Sequence, residues 1–165
     1  MRTDSPEILE LCERLAQELK RRSWMMATAE SCTGGLIAAT CTGLSGSSDW
    51  FERGFVTYSN AAKTDMLGVP AELIEAQGAV SEDVARAMAL GAVAHSRAQV
   101  SVAVTGVAGP TGGSADKPVG TVWFGWAIQG HAWTEQLRFD GNRDAVRAGT
   151  VRHALQELLE RAAAV

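Results

Sequence analysis

At 165 residues, 46% hydrophobic and 21% charged, the chain is long enough to enclose a core without disulfide or metal staples, and it reads as one domain over 1–165. A net charge of −4 makes no electrostatic case for nucleic acid or an anionic membrane, and no apolar run approaches the roughly 20 residues that span a bilayer. The opening residues are charged, and Cys12, Cys32 and Cys41 lack C-x-x-C spacing, so reduced thiols and a cytoplasmic location are expected.

Ser5-Pro6-Glu7 is a helix start: a hydroxyl N-cap, proline at the first helical position, then an acid. Ile8, Leu11, Cys12, Leu15 and Leu19 follow at helical spacing. Lys20-Arg21-Arg22 complements the dipole at the far end, so this basic cluster calls for no nucleic acid. Residues 24–28 form a short apolar run suited to a buried strand. The chain then breaks into Ala29-Glu30-Ser31-Cys32-Thr33-Gly34-Gly35 before a helix over 36–41. Hydroxyls and glycines between a strand and a helix bring small polar groups and free N–H donors to one point, where oxyanions and phosphates are often held. The competing reading is a tight turn in which Ser31 and Thr33 only cap the helix. Cys32 reads either as a second nucleophile or as a small buried turn residue.

Residues 42–48 are a small polar loop between ordered elements, the setting of a ligand-contacting loop. A strand over 51–58 ends in Thr57-Tyr58-Ser59-Asn60, with Ser59 or Asn60 capping a short helix over 61–67 that Gly68 closes. Lys63 lies in the first turn of that helix, where the dipole disfavours a cation. It is therefore either solvated, or kept neutral or ion-paired for a purpose. Residues 70–77 form another short helix, and Ser81-Glu82-Asp83 begins a longer one with Val84, Met88, Gly91 and His95 along one face. A buried strand over 99–105 breaks at Thr105-Gly106-Val107-Ala108-Gly109-Pro110, much as the first strand does, and loops at strand ends form the ligand crevice of open α/β sheets. After a glycine-rich loop over 111–118, strands over 119–128 and 132–139 make an antiparallel hairpin. Asn142 caps a last helix over 143–163. Arg143 and Arg147 lie four apart near its N-terminus, against the dipole, a placement that suits an anion held between them or else surface pairing, with Asp144 offsetting part of the cost.

This order predicts an α/β fold: a mixed sheet of about five strands with helices on both faces. His95, His131 and His153 are scattered, so no metal site is expected, and no G-x-G-x-x-G follows a strand, so no dinucleotide fold is supported.

Six stretches in this order resemble the CinA C-terminal domain family, which includes stand-alone nicotinamide mononucleotide deamidases. They are Thr28-Ala29-Glu30-Ser31-Cys32-Thr33-Gly34-Gly35, Gly46-Ser47-Ser48, Val56-Thr57-Tyr58-Ser59-Asn60-Ala61-Ala62-Lys63, Gly78-Ala79-Val80-Ser81, Thr105-Gly106-Val107-Ala108-Gly109-Pro110 and Lys117-Pro118-Val119-Gly120-Thr121-Val122. Leu44-Ser45 stands where a proline is common in the family. The resemblance implies a three-layer α/β/α sandwich that hydrolyses nicotinamide mononucleotide to nicotinic acid mononucleotide and ammonia. It implies no cofactor, a small-molecule nucleotide substrate and no nucleic-acid or membrane partner; a homo-oligomer stays open. It further implies a serine–lysine dyad: Ser31 as nucleophile, Lys63 as general base and proton donor to ammonia, and Tyr58 as a supporting hydrogen-bond partner. Thr33, Gly34, Gly35, Ser48, Thr105 and Gly106 would line the nucleotide, with Arg143 and Arg147 on its phosphate. Two other classes compete. A non-catalytic nucleotide-binding or partner module of a CinA-like competence or damage-inducible protein would bind ligand without releasing ammonia. A phosphate-handling enzyme would normally need a divalent metal.

Overall fold

The first helix, α1 (Pro6–Arg21), begins as its sequence dictates: Ser5 Oγ accepts from the Ile8 N–H at 3.3 Å, and proline occupies the first turn. The structure, a computed structural model, describes residues 4–165. After α1 come β1 (Met26–Glu30), α2 (Leu36–Thr42), a 3-10 turn (Ser47–Asp49), β2 (Phe51–Val56), α3 (Asn60–Leu67), α4 (Ala71–Gln77) and α5 (Glu82–Ala94). Strands β3 (Val100–Gly106), β4 (Thr121–Ile128) and β5 (His131–Arg138) follow, then α6 (Arg143–Ala164). The strands form one sheet in the order β2-β1-β3-β4-β5. Strand β1 runs parallel to both neighbours, and β4 and β5 continue the sheet antiparallel.

Period-two alternation sorts the strand side chains between two cores. Met26, Val100, Val102, Val104, Val122, Phe124, Trp126 and Ile128 meet α1, α2 and α6 on one face. Ala27, Ala29, Ala103 and Ala127 meet α3, α4 and α5 on the other. The result is the three-layer sandwich expected from the resemblance. Small residues on the second face let α5 lie close: a Cβ on Gly125 would stand 2.4 Å from the Ala85 carbonyl oxygen, and Ser101 Oγ donates to the Ala89 carbonyl at 2.6 Å. Helix α3 presses on α5 in turn, since a Cβ on Gly91 would fall 2.1 Å from the Leu67 carbonyl oxygen. Gly91→Ala should therefore destabilise the fold by about 1–3 kcal/mol through overpacking. Urea unfolding would read this as a lowered midpoint; an unchanged midpoint would mean that the end of α3 gives way freely.

The connections place the site. From β1 the chain crosses through α2 to β2, then returns through α3, α4 and α5 to β3 on the other side of β1. Strand order reverses at β1, and the crevice beyond the C-terminal ends of β1 and β3 is where open α/β sheets take ligands. Ser31 is the first residue there, its N–H bonded to the Val104 carbonyl at 3.1 Å. Strand β1 starts later and runs further than residues 24–28, because Ala29 and Glu30 stay in the ladder opposite Phe55 and Val56 on one side and Ala103 and Val104 on the other. Strand β2 stops at Val56, which leaves Thr57 and Tyr58 in the loop leading to α3.

Candidate active site

The turn after β1 is built around a carboxylate. Glu30 is fully buried; its Oε1 accepts from Thr33 Oγ1 at 2.5 Å and from the Ile37 N–H at 2.8 Å, and its Oε2 accepts from the Ala38 N–H at 3.0 Å. The Ile37 and Ala38 N–H groups at the N-terminus of α2 are thus taken by a side chain of this chain and are not left for a ligand. Nor do Ser31 and Thr33 cap the helix. Its N-cap is Gly35, with φ 105° and no side-chain bond, after Gly34 at φ 57°, both in the left-handed region that glycine enters without steric cost.

Freed from capping, the Ser31 hydroxyl meets Lys63. Helix α3 begins with Ser59 Oγ accepting from the Ala62 N–H at 3.0 Å, which points the Lys63 side chain back beneath the serine turn. Lys63 is 1% exposed, and its Nζ lies 3.0 Å from Ser31 Oγ, 2.9 Å from the Thr57 carbonyl oxygen and 3.3 Å from that of Tyr58. It is not solvated, and no carboxylate is among these partners. Burial holds its pKa below the ordinary 10.5, with the neighbouring Cys32 opposing. The Cys32 thiol is pushed up to about 12, chiefly by burial, so Cys32 is a neutral turn residue near pH 7 and not a thiolate nucleophile. Tyr58 touches Lys63 through its backbone carbonyl, and the residue as a whole is 64% exposed.

Ser31, Cys32 and Tyr58 open onto a cleft of about 340 Å³ whose far side is Gly106, Val107, Ala108, Gly109, Thr111, Gly112 and Arg143. A larger groove of about 520 Å³ between α3 and α4 holds none of the serine-turn residues, so chemistry rather than size marks the site.

A profile of the CinA C-terminal domain matches residues 9–162. The chain belongs to the CinA C-terminal domain family. It is 54% identical to the nicotinamide-nucleotide amidohydrolase PncC of Pseudomonas putida, over 93% of this chain and 96% of that one. With the protein of the same name from Escherichia coli K12 it shares 52% identity over 94% of both chains. The crystal structure of the competence/damage inducible protein CihA from Agrobacterium tumefaciens superimposes with a TM-score of 0.92 at 48% identity, covering 97% of this chain and 98% of that one.

Within this CinA domain, the residues expected to line a nucleotide separate into two groups. Gly106 and Arg143 line the cleft with Ser31 and Tyr58, and Arg143 Nη1 donates to the Gly109 carbonyl at 2.8 Å. Thr33, Gly34, Gly35, Ser48, Thr105 and Arg147 are not among its lining residues. Thr33 and Thr105 are buried, with hydroxyls committed to Glu30 and to the Ala79 carbonyl (2.9 Å). Ser48 is exposed on the 3-10 turn. Arg147 Nη2 reaches from α6 to the Thr33 carbonyl at 3.1 Å, and its Nε is enclosed without a partner. The two arginines therefore do different things: one faces the cleft and the other pins the serine turn.

Residue type alone gave Glu30 and the Thr57 carbonyl no role, whereas the break at 105–110 expected at the ligand crevice supplies Gly106, Val107, Ala108 and Gly109 to the lining. The signal for Glu30 was an acid directly following an apolar strand. The structure also gathers Glu135, His153 and Glu157, whose ligating atoms lie within 4.8 Å of one another, although the scattered histidines suggested no such grouping. His153 and Glu157 are one helical turn apart on α6, and β5 supplies Glu135, a pairing that spacing cannot reveal. His153 hydrogen-bonds Glu135, Glu157 faces Arg161 at 3.3 Å, and none of the three lines the Ser31 cleft.

Proposed function

We propose that this protein hydrolyses the carboxamide of nicotinamide mononucleotide, releasing ammonia and nicotinic acid mononucleotide, with Ser31 as nucleophile and Lys63 as general base, in the recycling of pyridine nucleotides. The observation that carries the reading is the 3.0 Å contact between Ser31 Oγ and the buried Lys63 Nζ. A neutral amine has two N–H donors and one lone pair. The carbonyls of Thr57 and Tyr58 take the two donors, which leaves the lone pair to accept the Ser31 proton. As Ser31 Oγ bonds to the carboxamide carbon, that proton passes to Nζ. The developing oxyanion needs donors, and among the described residues no backbone carbonyl engages the Cys32 or Thr33 N–H. Collapse breaks the C–N bond, and Lys63 returns its proton to the leaving nitrogen as ammonia. Water then attacks the acyl-serine with Lys63 again as base, releasing the carboxylate product and restoring Ser31. The names of the relatives from Pseudomonas putida and Escherichia coli support the substrate class.

Purified protein given nicotinamide mononucleotide and excess chelator should release ammonia at an undiminished rate. Loss of activity with chelator and its return with a divalent ion would overturn the metal-independent reading. Saturable binding with no ammonia would favour a binding module.

Arg143, which lines the cleft, is the arginine we assign to the 5′-phosphate. Arg143→Ala should weaken the phosphorylated substrate by about 1.5–3 kcal/mol in kcat/KM, a charge-assisted bond's worth, and the dephosphorylated nucleoside far less. Arg147→Ala should affect both compounds alike, because its contact is with the Thr33 carbonyl. Equal losses for both compounds in Arg143→Ala would assign it a structural role instead.

A further inference from the structure

We infer that Glu30 is a positioning residue whose side chain fixes the Ser31 turn and whose main chain fixes the anchor of Lys63, an inference that rests on the Ser31–Lys63 reading above. A fully buried carboxylate is costly unless its oxygens are hydrogen-bonded. A helix cap alone does not call for one. Helices α1, α3 and α6 of this same chain are capped by Ser5, Ser59 and Asn142, each at the residue before the helix. Helix α2 differs, for its cap comes from the end of β1, on the far side of the turn that carries Ser31.

The bonds of Glu30 therefore span the turn. Thr33 Oγ1 ties its middle, and the Ile37 and Ala38 N–H groups tie its exit to the strand that enters it. Ser31, with the Cys32 and Thr33 N–H groups, is held inside that clamp. The backbone of the same residue reaches the other half of the pair. The Glu30 carbonyl accepts from the Thr57 N–H at 2.8 Å, and the Thr57 carbonyl accepts from Lys63 Nζ at 2.9 Å. One residue thus references both reacting groups to the end of β1. A clamp of this kind matters for rate because attack geometry tolerates little displacement.

Two disruptive substitutions and one conservative control test this at graded severity. Glu30→Gln keeps the shape, but whichever way the amide is turned, its NH2 meets a backbone N–H of Ile37 or Ala38. Thr33→Val removes only the hydroxyl that ties the middle of the turn, and Thr33→Ser keeps it. The probe is a fluorophosphonate: Ser31 Oγ bonds to phosphorus, the P–F bond breaks, fluoride leaves and the serine proton passes to Lys63. Labelling and turnover are measured well below the melting temperature, with circular dichroism establishing the fold.

In Glu30→Gln and Thr33→Val, both the labelling rate and kcat should fall by about 30- to 100-fold, the scale of a misplaced reacting group. KM for nicotinamide mononucleotide should stay within about threefold, and Thr33→Ser should recover most of the rate. Where Glu30→Gln fails to fold, the valine–serine pair decides. Folded Thr33→Val that labels at the parental rate, with only a lowered melting temperature, would reduce Glu30 to a helix cap and overturn the inference. A parent that labels at Ser31 but releases no ammonia would overturn the substrate reading alone, with the Thr33→Val labelling ratio still judging Glu30. A parent that does not label would overturn the Ser31–Lys63 pair and this inference together.

Discussion

Ser31→Ala should lower kcat for nicotinamide mononucleotide by about 10⁴-fold or more while leaving binding within about threefold, as expected when the nucleophile of a concerted unit is removed. The change deletes one oxygen from a turn that other groups hold. Glu30 keeps its three bonds to Thr33, Ile37 and Ala38, and Lys63 keeps the Thr57 and Tyr58 carbonyls. The Arg143 face of the cleft is untouched. Cys32 is no substitute, since a thiol held at about 12 offers almost no thiolate near neutrality. Ammonia release gives the rate, and titration calorimetry with the variant gives the affinity. Turnover above about a tenth of the parent would mean that Lys63 activates water directly and that no acyl-serine forms.

The layers of the fold were legible because they rest on patterns local to the chain. The stripe from Ile8 to Leu19, the Ser5-Pro6 start, and the alternation that sends Val100, Val102 and Val104 to one face all act within a few residues of themselves. The end of β1 was less legible. A glutamate after Ala29 reads as the beginning of a turn, and only donors from Thr33, Ile37 and Ala38 make its burial in the ladder tolerable. Lys63 shows the same limit. Its place near a helix start marked it as odd, yet what decides between solvation and a buried amine is the oxygen cage from Ser31, Thr57 and Tyr58, which forms only when β2 closes on β1. The paired arginines looked alike in spacing and charge. Arg143 faces the cleft, whereas Arg147, one turn further along α6, meets the Thr33 carbonyl.

Lys63→Arg should be nearly as inactive as Lys63→Ala, within about tenfold, because a guanidinium keeps its proton at any pH the fold tolerates. The parent's kcat/KM should rise with pH and level off above the lowered pKa of Lys63, since only the unprotonated amine can take the Ser31 proton. The same shift has a signature in stability, independent of turnover. Unfolded, Lys63 binds its proton below its ordinary 10.5; folded, burial makes it release that proton at a lower pH. Between those two pH values the unfolded chain holds more protons than the folded one, so stability rises with pH across the interval and is flat below it. Lys63→Met has no proton to bind and should lose that slope, whatever its overall stability. Substantial turnover by Lys63→Arg with the parental pH profile would show that Lys63 supplies only charge. The general base would then have to be sought at Tyr58, an exposed residue that lines the same cleft as Ser31.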